Sequence, residues 1–163
     1  MKIKGAFLSV VIALAGLTLV ETSNARHVAG NANGQSPKRK LVKVYFYHDP
    51  GEYIDLSPVD RYVNAAAPAR AALEALLSGP TPEEERRGFG SLSSAAEFGI
   101  GSLKIADGTA RVNFVASRTW GGWAGSTSPI RFKTAVELTL KQFPNVRRVI
   151  VSLNGDPNFA DQQ

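Results

Sequence analysis

Two groups of ionisable residues in this chain have types and spacing worth testing for chemistry. His48, Asp49, Glu52 and Asp55 fall close together, and Glu83, Glu84 and Glu85 are consecutive. The first group offers oxygen ligands for a hard cation such as calcium, beside one imidazole for proton transfer. Its spacing does not fit an EF-hand loop, and turns are commonly acidic for local reasons, so it reads as a polar turn. The three glutamates follow Thr81-Pro82, a helix-start signature, where the helix dipole favours acidic side chains. That placement explains them without a catalytic pair. With only two histidines, His27 and His48, a triad or imidazole metal site has one candidate in the folded part. No G-x-S-x-G, H-E-x-x-H or phosphate-cradling glycine loop is present, and "GFGSLSS" lacks the lysine and following helix that phosphate would need. The expectation is a non-enzymatic protein with no catalytic residue, cofactor or metal, and a hydrolase using His48 is the distant catalytic reading.

Aromatic residues are the better candidates for contact with something. Trp120 and Trp123 lie in "RTWGGWAGSTS", where they either anchor a partner or stack on sugar, or fold back to cover the domain. If both helices cover one side of a sheet, strand alternation leaves Lys43, Tyr45, Tyr47, Lys104, Arg111, Asn113 and Arg148 on the open side. Basic and aromatic residues on a sheet suggest RNA recognition, but the RNP-type pattern is missing. Nucleic acid is therefore not expected; a protein partner, then an anionic wall polymer, fits better, and edge-strand pairing between copies would suit self-assembly. The candidate contact residues are Trp120, Trp123, Tyr45, Tyr47, Lys104 and Arg111.

These residues must be positioned by elements that the sequence punctuates clearly. "LVKVYFYH" (41–48) alternates as a strand with Val42, Val44 and Phe46 on one face. Residues 54–63 return as a second strand, and Pro58 puts it at an edge. Ala69, Ala72, Leu73, Leu76 and Leu77 make a helical stripe that Gly79 closes in a left-handed conformation and Pro80 ends. Thr81 caps a short surface helix, and Gly88 stops it. Asp107-Gly108 predicts a two-residue hairpin turn pairing Ala106 with Thr109 and Leu103 with Val112. Ser128 caps a last helix with Phe132, Val136, Thr139, Leu140 and Phe143 on its buried side, and residues 147–155 supply the last strand. The order β-(β)-α-β-β-α-β predicts a two-layer α+β sandwich, one mixed or antiparallel sheet packed by two helices.

The ends carry the address. Lys2 and Lys4 precede an apolar run from Ala6 to Val20, then Ser23-Asn24-Ala25, which is the pattern of a signal peptide cut after Ala25. The run is shorter than the roughly 20 residues of a spanning helix, so no stable span is expected after cleavage. Residues 26–40 read as a flexible basic linker that could hold the domain near an anionic surface, 41–157 as the domain, and 158–163 as a tail. The net charge of +5 misleads, because from Leu41 onward 13 basic residues face 13 acidic ones. No cysteine is present, which excludes disulfides and cysteine lipidation. The expected location is outside the cytoplasm, periplasmic or extracellular.

"KVYFYHDPGEYIDLSPVDRYV", "ARAALEALLSGPTPEEERRGFGS", "LKIADGTARVNF" and "LKQFPNVRRVIVSLNGDP" follow one another in an order that resembles the GerMN domain of bacterial sporulation and spore-germination proteins. The resemblance covers residues 41–157, and its most specific pieces are structural punctuation. It implies an α/β module similar to ring-building domains, acting at the cell envelope by association with itself or with other envelope proteins. It supplies no active-site residue. Binding of cell-wall glycan or an anionic polymer through Trp120, Trp123 and the open sheet is the alternative.

Overall fold

The computed structural model of the chain describes residues 37–48, 55–92 and 97–161. The apolar run and most of the linker expected from the sequence lie outside them, as does the turn carrying Asp49 and Glu52. Strands β1 (Arg39–His48) and β2 (Asp55–Asn64) pair antiparallel over their whole length, from Arg39 opposite Asn64 to His48 opposite Asp55. Helices α1 (Pro68–Ser78) and α2 (Pro82–Arg86) follow, then the two-residue strand β3 (Phe89–Gly90). A hairpin of β4 (Phe98–Ala106) and β5 (Thr109–Ala116) leads through the tryptophan loop to α3 (Ser128–Lys141) and β6 (Arg148–Leu153). The fold is α+β, as the sequence predicts.

The strands form two sheets of three, β2-β1-β3 and β4-β5-β6, where one sheet was expected. The reason lies on the free edge of β1. The side-chain amide of Gln142 accepts from the Lys43 N–H at 2.7 Å and donates to the Lys43 carbonyl at 2.7 Å. Two residues on, the Tyr45 N–H donates to Thr139 Oγ1 at 3.4 Å, and Tyr47 pairs with Gly90 of β3. The end of α3 thus occupies the positions where another strand would pair. The same alternation turns the main chain of Pro58, opposite Tyr45, toward the outer edge of β2. Its missing N–H interrupts that edge, which suits the edge position read from the sequence.

The hairpin forms with the expected register. Asp107 and Gly108 both have positive φ, 52° and 74°, as a type I′ turn demands. A bulge between Ile100 and Ser102 sits at Gly101, where a Cβ would meet Val115 Cγ2 at 2.8 Å. Strand β6 runs parallel to β5, with α3 in the connection. One core spans both sheets and the faces of α1 and α3, with Phe46, Phe114, Phe132, Leu73 and Leu140 fully buried.

Four local expectations are corrected. Gly79 has φ 79° but ψ −178°, so α1 ends in an extended turn that only glycine tolerates, not in the left-handed helical region. Ser128 is inside α3; Thr127 holds the cap position without a side-chain hydrogen bond, since its backbone is already helical (φ −86°, ψ −14°) and the second helical residue, Pro129, has no N–H to offer. Strand β1 begins at Arg39, within the expected linker, because Arg39 and Lys40 pair with Asn64 and Val63. The expected tail contributes Phe159 and Ala160 to the core, so the folded unit runs past residue 157.

Candidate functional site

A groove of about 540 Å³ opens where five segments converge. Tyr47 comes from the end of β1, Ser91 and Leu92 follow β3, and Glu97 precedes Phe98, the first residue of β4. The tryptophan loop brings Trp120, Gly122, Trp123 and Ala124, and the first turn of α3 brings Ser128 and Arg131. The volume lies within the roughly 300–1,000 Å³ common for ligand pockets.

Both tryptophans fold back as half-buried side chains packed on the core, and both still line the groove. Phe98 is the hub beneath them, with ring centroids 5.2 Å from Trp120 and 5.4 Å from Trp123. Trp123 also packs on Phe132 at 5.7 Å and lies nearly parallel to Phe159 at 6.0 Å. The two indoles stand 5.4 Å apart at 84°, an edge-to-face corner with no parallel slot. Phe98 and Phe159 were not singled out in the sequence. The strand pattern of β4 could have found Phe98, whereas Phe159 sits in an irregular tail.

Polar character enters at the rim. The Arg131 guanidinium lies 5.9 Å from the Tyr47 ring centre, a cation–π arrangement, and it has no carboxylate partner among the described residues. Tyr47 is held in turn by Gly90, where a Cβ would come within 2.9 Å of Tyr47 Cδ1. Aromatic faces, one cation, a carboxylate and two serines equip the groove to recognise a ligand by stacking and polar contact.

The other candidates divide. Tyr45 lies two residues from Tyr47 on the same strand face and packs partly against the core. Lys104 and Arg111 oppose each other across β4 and β5, exposed and outside the groove lining. His48 stacks on Phe89 at 4.4 Å, and its Nε2 lies 3.1 Å from the Arg87 carbonyl oxygen. Among the described residues no three His, Asp or Glu side chains gather as metal ligands.

The sequence reading missed one charged cluster. Glu84 is buried, and Arg61 of β2 grips its carboxylate with both terminal guanidinium nitrogens, Nη1 to Oε1 at 2.6 Å. The Thr81 N–H donates to Glu84 Oε2 at 2.8 Å, and the Glu84 N–H to Thr81 Oγ1 at 3.3 Å, completing a capping box. These bonds, Arg61's first, outweigh burial and hold the Glu84 carboxyl at about 2. The cluster fastens α2 to β2 and is separate from the groove.

Residues 43–159 match the sporulation and spore germination family (Germane). The chain belongs to that family. Solved structures agree at the level of fold. The first GerMN domain of the sporulation protein GerM from Bacillus subtilis is similar with a TM-score of 0.54 at 21% identity, over 72% of this chain and 84% of that one. The tandem GerMN domains of the same protein give 0.57 at 19% identity, over 78% of this chain. This chain covers 43% of the tandem structure, less than half its length. No curated protein matches the sequence. The GerMN fold expected from the four quoted segments is thus present, with the aromatic groove built on it.

Proposed function

We propose that this GerMN-family chain is a non-enzymatic, exported module of the cell envelope that works by holding a protein partner in the aromatic groove. The groove itself carries the reading. Its tryptophans are fixed from below by Phe98, Phe132 and Phe159 yet still line an open surface, so a partner side chain entering there meets rings already ordered. Rigid aromatic anchors in a pocket are what hot spots of protein interfaces use, because little entropy is lost on contact. Strand pairing between copies is less well supported, since Pro58 interrupts the outer edge of β2.

Affinity capture from an envelope fraction with wild-type protein and with Trp120→Ser tests the reading. The expected result is a discrete partner retained by the wild type and lost with the variant. Identical captures by both would contradict it.

One observation favours a second reading, wall-glycan binding. The 84° corner between Trp120 and Trp123 suits a puckered sugar ring better than a flat ligand. Sedimentation with purified wall material that Trp120→Ser abolishes would move the assignment to glycan.

A further inference from the structure

We propose that the Leu41–Tyr62 end of the β1–β2 ribbon is a docking patch for an anionic lipid surface. Leu41 and Tyr62 stand directly opposite each other across the two strands, and they are 50% and 68% exposed. Val42, Val44 and Phe46 face the core, so strand alternation turns Leu41 and Tyr62 to the opposite face together with Arg39. The pairing is of the non-hydrogen-bonded kind, since the Lys43 main chain two residues on points away from β2, and such pairs bring side chains closest. An aliphatic side chain and an aromatic one with a polar tip therefore form one continuous exposed patch.

The charge around it is one-sided. Arg39 shares the face of the patch, while Lys38 and Lys40 flank it on the opposite alternation, the Lys40 ammonium lying 5.5 Å from the Phe143 ring centre. All three are exposed, and none has a carboxylate partner among the described residues. The nearest acid along the same face, Asp60, is held by Lys43 at 3.2 Å. Basic residues beside Leu and Tyr match an anionic bilayer interface, where cations meet headgroups and tyrosine sits at the boundary. Leu41 and Tyr62 lie outside the lining of the aromatic groove, and the basic charge beside them favours an anionic lipid surface over a protein anchor. In sequence the patch also follows the apolar run Ala6–Val20. The proposal does not rest on the groove and stands or falls separately from it.

The test uses the chain from Arg26 onward, which retains the whole core from Val42 to Ala160. Cosedimentation is measured with vesicles of phosphatidylcholine alone and of phosphatidylcholine with phosphatidylglycerol, at low and high salt. Binding is expected on the anionic vesicles only, and it should weaken with salt. Replacing Arg39 by Gln should weaken it about fivefold, from ~1 kcal/mol per cation at such a surface, and replacing Lys38 and Lys40 as well should weaken it further. The double variant Leu41→Ser, Tyr62→Ser should lose about tenfold or more while its circular dichroism stays unchanged. Three outcomes overturn the proposal: no binding, equal binding to neutral vesicles, or anionic binding that the Leu41/Tyr62 variant leaves intact. The last would assign the effect to tail charge acting on any polyanion.

Discussion

Arg61 and Glu84 form a two-pronged guanidinium–carboxylate contact that ties the edge strand β2 to the one-turn helix α2. Their side chains are 19% and 10% exposed, so water screens the pair only weakly. The Glu84 carboxyl is lowered from 4.5 to about 2, which means the folded state holds the ionised form more tightly than the unfolded chain does. The resulting stability is fully present above the unfolded value and is lost as pH falls through the folded one. Urea midpoints should therefore drop between about pH 4.5 and pH 2 by an amount worth about 3 kcal/mol. The Glu84→Gln variant should start lower at neutral pH and show less of this decline.

Gln142 acts as a surrogate strand for Lys43, satisfying both its N–H and its carbonyl. The Gln142→Leu variant keeps the bulk and removes both bonds, leaving two main-chain groups without their partner. A loss of about 1–3 kcal/mol is expected by chemical denaturation. Hydrogen exchange at Lys43 should accelerate more than exchange in the β4–β5 hairpin. Equal acceleration at both places would show that Gln142 contributes only to general packing.

Gly90 is required for space, since a Cβ there would sit 2.9 Å from Tyr47 Cδ1. Gly90→Ala should displace the Tyr47 ring from beside Arg131, at a cost of about 1–3 kcal/mol from overpacking. Partner capture should weaken along with stability. Gly121→Ala is the control, because a Cβ at that position meets nothing within 4 Å. Thermal unfolding of the two variants side by side checks the difference.

Trp123 touches Phe98, Phe132, Phe159 and Trp120, whereas Trp120 touches Phe98 and Trp123. Trp123→Ala should cost about 3 kcal/mol, and Trp120→Ala about half of that, by the usual scale for removing a packed aromatic. Fluorescence of the single-tryptophan variants reports the same order. Emission from Trp123 should be bluer and better protected from a soluble quencher than emission from Trp120.

Much of this fold was legible in the sequence because its punctuation is local. Asp107-Gly108 fixed the hairpin register through the turn geometry it demands, and the α1 stripe of Ala72, Leu73, Leu76 and Leu77 is buried as its spacing implies. The two-sheet division was not legible, since it depends on a glutamine side chain meeting a strand 99 residues away. Glu84 shows a different failure: the dipole and cap account for its position in the helix, but only the fold reveals that Arg61 comes to it. At the groove, aromatic type pointed to Trp120, Trp123 and Tyr47, and no local pattern could bring Arg131 and Phe98 to the same place. Lys104 and Arg111 would share a face with them only in a single sheet, and they lie in the second.

Photo-cross-linking in intact cells from a reactive side chain placed at position 121 tests the groove most directly, since that position lies between the two tryptophans in open space. A discrete protein adduct that disappears when Trp120→Ser is added is the result expected. Absence of any adduct, or one indifferent to Trp120, would contradict the claim that this groove holds a protein partner.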